Sequence, residues 1–229
     1  MFRSLLKLAG VLTLAVLAGC TTGSGAWLET LRAASAGEDS AAPRLDPRLT
    51  YLRLGNAGHH AYLALGYLDA HPGGEVYVWY SAAGEVIKLQ NGRIVGTAGL
   101  PVDWREVRLP RLPAWQDIPA EGLRYQREID RMPGYRYGRV QTLLLRPVPA
   151  VQNVTLRHAQ PAQLRWFEEV ELGDAAQRLP TARYAVDLSR LPGQVVYSEQ
   201  CLSATLCFTF EPWPVAVDGG PATPEKEKS

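Results

Sequence analysis

Three glutamates in the second half of the chain are the residues whose spacing most resembles that of the paired carboxylates in an acid–base catalyst. Glu169 and Glu171 would share one face of a β-strand, with their carboxyl groups about 6.5–7 Å apart, which is within the range of paired glycosidase carboxylates. Glu168 lies in the same run, while Trp166 and Val170 alternate toward the other face. This alternation predicts a half-buried strand whose glutamates face solvent. The alternative is a hydrolase that uses Glu169 with a partner carboxylate.

The stretch from Arg105 to Arg139 is rich in residue types that bind acidic sugars and protein partners. Aromatic faces stack on sugar rings, guanidinium groups grip carboxylates, and Arg, Tyr and Trp dominate interface energetics. The candidate glycan or partner surface consists of Trp104, Trp115, Arg124, Tyr125, Arg127, Tyr135, Arg136, Tyr137 and Arg139. The alternative is structural, with Arg127 paired to Asp130 and the tyrosines packed on the sheet.

The four histidines do not have the spacing of metal ligands. His59 and His60 adjoin a glycine-rich turn, and His71 and His158 stand alone, which predicts histidines on turns and on the surface. The sequence contains no nucleophile elbow and no phosphate-binding glycine loop. We therefore expect no catalytic residues, no metal and no cofactor.

Two cysteines near the end of the chain, Cys201 and Cys207, are close enough in sequence to be bridged. On one straight strand they would lie about 20 Å apart, beyond the reach of a disulfide. The segment 202–206 can instead form a short hairpin loop that sets them opposite each other. We predict a cross-strand disulfide, and the alternative is two buried thiols.

These candidate residues depend on a series of short strands separated by glycine, proline and asparagine turns. Strands are predicted at 51–54, 60–67, 75–80, 86–90, 93–95, 135–145, 163–172, 182–188, 194–201 and 206–211. Asn91-Gly92 predicts a two-residue type I′ turn that sets Leu89 opposite Ile94. The segment 101–133 alternates poorly and is predicted to be a loop with a short helix near 120–130.

The pattern as a whole predicts a mainly β protein. Seventeen prolines and 21 glycines scattered along the chain favour many short elements over a helical bundle. We expect one antiparallel β-sheet domain, either a sandwich or an open half-barrel. A short helix over 26–36, with Trp27, Leu28 and Leu31 on one face, should pack on or beside the sheet.

The first twenty residues have the layout of a secretory signal. Arg3 and Lys7 precede an apolar run from Leu8 to Ala18, which is too short to span a bilayer. The following Leu17-Ala18-Gly19-Cys20 resembles the lipobox of bacterial lipoproteins. This resemblance implies cleavage before Cys20 and attachment of acyl chains such as palmitate, which together anchor a protein stably. A plain signal peptide with an incidental cysteine is the alternative.

The resulting domain prediction has four parts: a lipoprotein signal peptide at 1–19, a lipidated tether at 20–25, a β domain at 26–216 and a disordered tail at 217–229. Thr21 follows Cys20 where inner-membrane lipoproteins commonly have aspartate, so the resemblance implies the periplasmic face of an outer membrane. The net charge of +1 and the export signal argue against a nucleic-acid partner.

Several stretches together resemble the YjbF/GfcB family of lipoproteins, which are encoded with exopolysaccharide and group 4 capsule assembly genes. The similar stretches are Thr50–Leu54, Leu65–Tyr67, Asn91–Val95 with Gly99–Leu100, Arg127 with Asp130, Pro133–Gly138, Trp166–Val170 and Gly193–Val195. The lipobox and the segment containing Trp27 and Leu31 match in position as well. The resemblance covers nearly the whole mature chain.

The resemblance implies an outer-membrane-anchored accessory of polysaccharide production or export, without an established catalytic activity. The implied partners are the membrane, through the N-terminal lipid, and the exopolysaccharide or its export proteins. Besides the hydrolase, a lipid-carrier-like open β barrel is an alternative, and a continuous apolar cavity would favour it.

Overall fold

The protein is described from a computed structural model, which covers residues 45–151, 154–190 and 192–213. These residues form twelve antiparallel strands in one sheet. The strands are β1 (Tyr51–Asn56), β2 (His59–Asp69), β3 (Val76–Tyr80), β4 (Val86–Gln90), β5 (Arg93–Ala98), β6 (Asp103–Arg108), β7 (Leu123–Met132), β8 (Arg136–Val148), β9 (Arg165–Leu172), β10 (Ala182–Asp187), β11 (Gln194–Cys201) and β12 (Cys207–Trp213). Two single-turn 3-10 helices, Trp115–Asp117 and Pro161–Gln163, lie in the connections.

The strand order is β5-β4-β3-β2-β1-β12-β11-β10-β9-β8-β7-β6, so neighbours in sequence are neighbours in the sheet and β1 pairs with β12. The two edge strands, β5 and β6, lie against each other. The Thr97 hydroxyl bonds the Asp103 carboxylate at 2.9 Å and accepts the Trp104 backbone N–H at 3.0 Å. The sheet is therefore a nearly closed barrel. This confirms the mainly β prediction of a single antiparallel sheet, and the sheet is more closed than the predicted open half-barrel.

The Asn-Gly turn between β4 and β5 fixes the register of these two strands. Asn91 and Gly92 both have positive φ, at 49° and 79°, and they join β4 to β5 with Leu89 opposite Ile94, as predicted. A side-chain carbon on Gly92 would lie 2.6 Å from Val195, so this turn also packs tightly against β11.

The cysteines that end β11 and begin β12 are register partners. Their sulfur atoms are bonded at 2.09 Å, and the Leu202 N–H donates to the Leu206 carbonyl across the short loop. The disulfide thus joins two neighbouring strands at one end of the barrel.

One segment was predicted wrongly. Residues 123–132 form strand β7 rather than a helix, and 103–108 form β6. The inward side of β7 carries Tyr125, Arg127 and Ile129, all buried. Arg127 is a charged residue at one of these inward positions, where the alternation would predict an apolar residue. It can be buried there because its charge is neutralised inside the barrel.

Several predictions lie outside the described residues: the signal peptide, the lipobox with Cys20, the tether at 20–25, the helix at 26–36 and the tail at 217–229. None of the helices in the described part of the chain is long and apolar enough to cross a membrane.

Candidate functional site

The structure divides the nine candidate surface residues between the barrel interior and its outside. Trp104, Trp115, Tyr125 and Arg127 are buried. Arg124 is exposed on β7. Tyr135, Arg136, Tyr137 and Arg139 lie together at the β7–β8 hairpin, where Tyr135 is 73% and Tyr137 64% exposed. Apart from Arg124, the residues that were predicted to form one surface therefore belong to two separate sites, one inside the barrel and one at the β7–β8 hairpin.

The interior site is an ion cluster around Glu169. Its carboxylate accepts from Arg127 at 3.2 Å and from Arg93 at 3.4 Å, and the Tyr125 hydroxyl donates to the same group. All four residues are buried. Charges withdrawn from water are tolerated only when they are paired and hydrogen-bonded in this way.

Aromatic rings complete the surroundings of the two arginines. The Arg93 guanidinium lies 4.0 Å from the Trp115 ring centroid and 5.4 Å from that of Tyr184. The Arg127 guanidinium lies 4.7 Å from the centroid of Trp104. The tryptophans that were candidates for sugar stacking therefore stack on cations inside the barrel instead.

Glu171 extends this cluster toward the end of the barrel. Its carboxylate accepts from Gln141 at 2.7 Å, from Arg139 at 2.9 Å and from the backbone N–H of Leu179 at 3.0 Å. Gln141 also accepts from Arg127 at 2.7 Å, which links the two glutamates through one amide.

The prediction that Glu169 and Glu171 face solvent is wrong, since they are only 3% and 9% exposed. Near its start, strand β9 is buried on both faces, because the outward-facing Trp166 packs with Val148 at the end of β8 and with Val154 and Leu156 of the β8–β9 connection. Alternation between apolar and charged residues therefore did not report which face is solvated. Glu168, on the outer face, pairs with Arg146.

The structural alternative for Arg127 is also wrong. Its partner is Glu169 rather than Asp130, because the two side chains lie on opposite faces of the sheet. Asp130 accepts from Arg108 at 2.9 Å and from the Gly138 N–H at 2.8 Å, and these contacts lower the pKa of its carboxyl.

Burial and the glutamate charge shift the ionisable groups of the interior cluster. Desolvation, and then the negative charge of Glu169, raise the pKa of the Tyr125 hydroxyl and that of Tyr184. Both tyrosines therefore stay neutral and can donate hydrogen bonds. For Arg93, burial lowers the pKa, but Tyr125 and Glu169 raise it by more, so its guanidinium remains charged.

The space beside the interior cluster is too small for a substrate. The cavity lined by Trp104, Arg127, Glu169 and Glu171 has a volume of about 10 Å³, which is room for about one water molecule. The charged side chains of Arg93, Arg127 and Glu169 also cross the interior at this level of the barrel.

The outer site, which we call the hairpin patch, consists of Arg131, Tyr135, Arg136, Tyr137 and Arg139. Arg131 and Arg136 are register partners. Partial burial, and then repulsion by the charges of Arg136 and Arg139, lower the pKa of Arg131. The hairpin patch therefore combines three arginines with two exposed aromatic rings, and the Arg139 guanidinium is also paired with Glu171.

The sequence prediction missed Arg93, which is central to the interior site. It follows the Asn-Gly turn and forms its ion pair with Glu169, 76 positions away. No local pattern indicates such a partner. Among the residues that the structure describes, no three His, Cys, Asp or Glu side chains are grouped to hold a metal ion.

Among solved structures, the chain is similar to the hypothetical lipoprotein YmcC from Escherichia coli K12. The TM-score is 0.53 at 22% sequence identity, and the match covers 74% of this chain and 84% of that one. At this identity the likeness shows the fold alone. No curated protein matches the chain.

The comparison with protein families identifies the family of the chain as well as its fold. Residues 43–209 match the family described as "Group 4 capsule polysaccharide lipoprotein gfcB, YjbF". The matched region includes all twelve strands except the last residues of β12. It also includes both the interior cluster and the hairpin patch. The chain therefore belongs to the YjbF family of group 4 capsule polysaccharide lipoproteins.

Proposed function

We propose that this protein is a non-catalytic accessory of capsule or exopolysaccharide assembly, anchored by lipid to the periplasmic face of the outer membrane. In this proposal the hairpin patch contacts the polymer or a neighbouring export protein. The observation that carries the proposal is the exposure of two tyrosines among three clustered arginines, in a family named for capsule polysaccharide.

The anchor is inferred from the sequence and supported by the family description. Leu17-Ala18-Gly19-Cys20 fits a lipobox, and the family is one of lipoproteins. Thr21 at the next position favours the outer membrane. Several acyl chains on Cys20 would hold the protein at the membrane for long periods.

The fold separates the hairpin patch from the side on which the anchor joins the domain. Strand β1 begins at Tyr51 and β12 ends at Trp213, so the described chain enters and leaves at the same end of the sheet. Because successive strands are antiparallel, the β7–β8 hairpin lies at the opposite end. A patch placed there can point away from the membrane surface, toward material in the periplasm.

The chemistry of the hairpin patch suits an acidic polymer. Guanidinium groups pair with carboxylates, and exposed tyrosine rings stack on the apolar faces of sugars. Among the described acids near the hairpin patch, Glu128 and Asp130 are engaged by Arg108, and Glu171 is engaged by Arg139. Arg131 and Arg136 therefore supply the positive charge offered to a ligand. The same residue types also suit a protein partner, so both are tested below.

The non-catalytic part of the proposal is supported by the state of the paired glutamates. A general acid must reach its substrate, and a general base must be free to accept a proton. Glu169 is buried between two arginines and a tyrosine, and the cavity beside it holds about 10 Å³.

Replacing the tip of the hairpin should weaken binding while leaving the fold intact. We expect the triple variant Tyr135→Ala, Arg136→Ala, Tyr137→Ala to bind the organism's purified exopolysaccharide at least about tenfold more weakly than wild type, since two stacking rings and one cation are removed. The measurement is a titration of the lipid-free mature domain by calorimetry. Binding through arginine should also weaken as salt is raised.

A matched control is the double variant Tyr67→Ala, Arg165→Ala, which removes an exposed tyrosine and an exposed arginine elsewhere on the barrel. It should bind like wild type. If the polymer does not bind, the same variants are tested against the export proteins of the organism. Unchanged binding of the triple variant to both kinds of partner would refute the role of the hairpin patch.

A further inference from the structure

A second concave site lies at the end of the barrel opposite the hairpin patch. This end cleft has a volume of about 510 Å³ and opens between β3–β4 on one side and β11, β12 and β1 on the other. Its apolar lining consists mainly of Leu52, Tyr77, Trp79, Leu89, Val195 and Phe210. The volume is in the range of pockets that hold small ligands.

An aromatic pair forms one wall of the end cleft. Tyr77 and Trp79 alternate along β3 and therefore share one face, with ring centroids 6.3 Å apart and planes inclined by 15°. Trp79 is buried, whereas Tyr77 remains 38% exposed. A large aromatic ring left open at the mouth of a cleft gives a ligand a flat surface on which to stack.

The same wall contains a hydrogen-bond donor without an acceptor. The indole Nε1 of Trp79 is buried and has no partner among the described residues, although the side chain as a whole is only 6% exposed. Leaving such a donor unsatisfied costs free energy, so its presence in a native structure calls for an explanation. This atom is closed to solvent in the free protein, so a ligand oxygen in the end cleft supplies the acceptor once the side chains around the indole move apart.

The polar groups of the end cleft are mostly uncharged. Asn91, Gln194 and Ser198 contribute amide and hydroxyl groups. The two charged residues have partners of their own: Arg190 pairs with Asp187, and Glu75 interacts with the Tyr77 hydroxyl. The end cleft therefore lacks the surplus of positive charge that distinguishes the hairpin patch.

We infer that the end cleft binds a neutral sugar unit, with a pyranose ring stacked on Tyr77 and a hydroxyl oxygen accepting from Trp79 Nε1. An acyl chain would match the apolar lining but would leave the indole donor unsatisfied. An acidic sugar would find no free cation. This inference takes the relevance of sugars from the proposed function, but it concerns a different surface and needs no contact at the hairpin.

The test uses the intact mature domain with neutral oligosaccharides, namely cellotetraose, maltotetraose and neutral fragments of the organism's exopolysaccharide. Binding is followed by saturation-transfer NMR and calorimetry. We expect at least one probe to bind, and we expect Tyr77→Leu to weaken that binding about tenfold through loss of stacking. Trp79→Phe, which keeps a ring but removes the donor, should weaken it about fivefold.

Tyr67→Leu is the matched control, because Tyr67 is an exposed tyrosine on the neighbouring strand that does not line the end cleft. It should leave the affinity within twofold of wild type, and the thermal unfolding of every variant is recorded to exclude misfolding. The inference is overturned if no probe binds, or if Tyr77→Leu binds as well as wild type. It is also overturned if palmitate binds in place of the sugars and is lost in Tyr77→Leu. Loss of oligosaccharide binding only in the hairpin variant would overturn the end cleft while supporting the proposed function.

Discussion

Replacing Glu169 with glutamine should lower the free energy of unfolding by about 3–5 kcal/mol, the range found when one partner of a buried ion pair is removed. Glutamine keeps the shape of the side chain and one acceptor oxygen, so the loss reports on charge rather than on volume. The measurement is urea denaturation of the purified domain. Both proteins are analysed with the same slope of unfolding free energy against urea concentration.

The size of this effect follows from the two arginines that Glu169 holds. Arg93 and Arg127 are 3% and 7% exposed, and they approach the same carboxylate from its two oxygens. Without the negative charge, two buried cations face each other across a neutral amide. The aromatic rings of Trp104 and Trp115 offset only part of this cost.

Glu168→Gln provides the matched control on the same strand. Glu168 faces outward and pairs with Arg146, whose side chain is 51% exposed, so its loss should cost less than about 1 kcal/mol. A Glu169→Gln domain as stable as wild type would contradict the interior ion cluster. If that stable variant had also lost a measurable hydrolase activity, the catalytic alternative would replace the non-catalytic proposal.

Replacing Trp104 with alanine should cost about 3–5 kcal/mol of stability, as is usual for large-to-small changes of a buried aromatic residue. Trp104 is 3% exposed, its Nε1 donates to the Leu202 carbonyl at 3.2 Å, and its ring covers Arg127. The variant therefore loses packing, one hydrogen bond and a cation–π contact together. Thermal and urea unfolding measure this loss.

Tyr137→Ala separates the structural aromatics from the exposed ones. Tyr137 is 64% exposed at the hairpin, so this change should alter stability by no more than about 0.5 kcal/mol. If Trp104→Ala folds with unchanged stability and specifically loses polymer binding, Trp104 belongs to the binding surface as the sequence first suggested. The interior assignment of this residue would then be wrong.

The sequence predicted the parts of the fold that depend on local pattern. The Asn91-Gly92 turn requires two residues at positive φ, which only a few residue types adopt readily, and its register was correct. The eight other predicted strands were found with bounds within a few residues, because turns rich in Gly and Pro separate them.

The parts that failed depend on contacts between distant segments. Glu169 is inward because Arg93 and Arg127 reach it from β5 and β7, and Trp166 is outward because the connection before β9 covers it. Glutamates therefore occupy the buried inner face of β9, whereas a half-solvated sheet has its charged residues on the outer face. Strand β7 was missed for the same reason, since Arg127 occupies an inward position that a local pattern assigns to an apolar residue.

The most direct test of the central claim is the amount of exopolysaccharide or capsule exported by cells that lack this gene and carry one of three replacement copies. The copies are wild type, the triple variant of Tyr135, Arg136 and Tyr137, and the double control of Tyr67 and Arg165. Protein level and membrane association are checked by immunoblot of cell fractions. We predict that wild type and the control restore export, whereas the triple variant does not, although it is present in equal amount at the membrane. Full restoration by the triple variant would contradict the account.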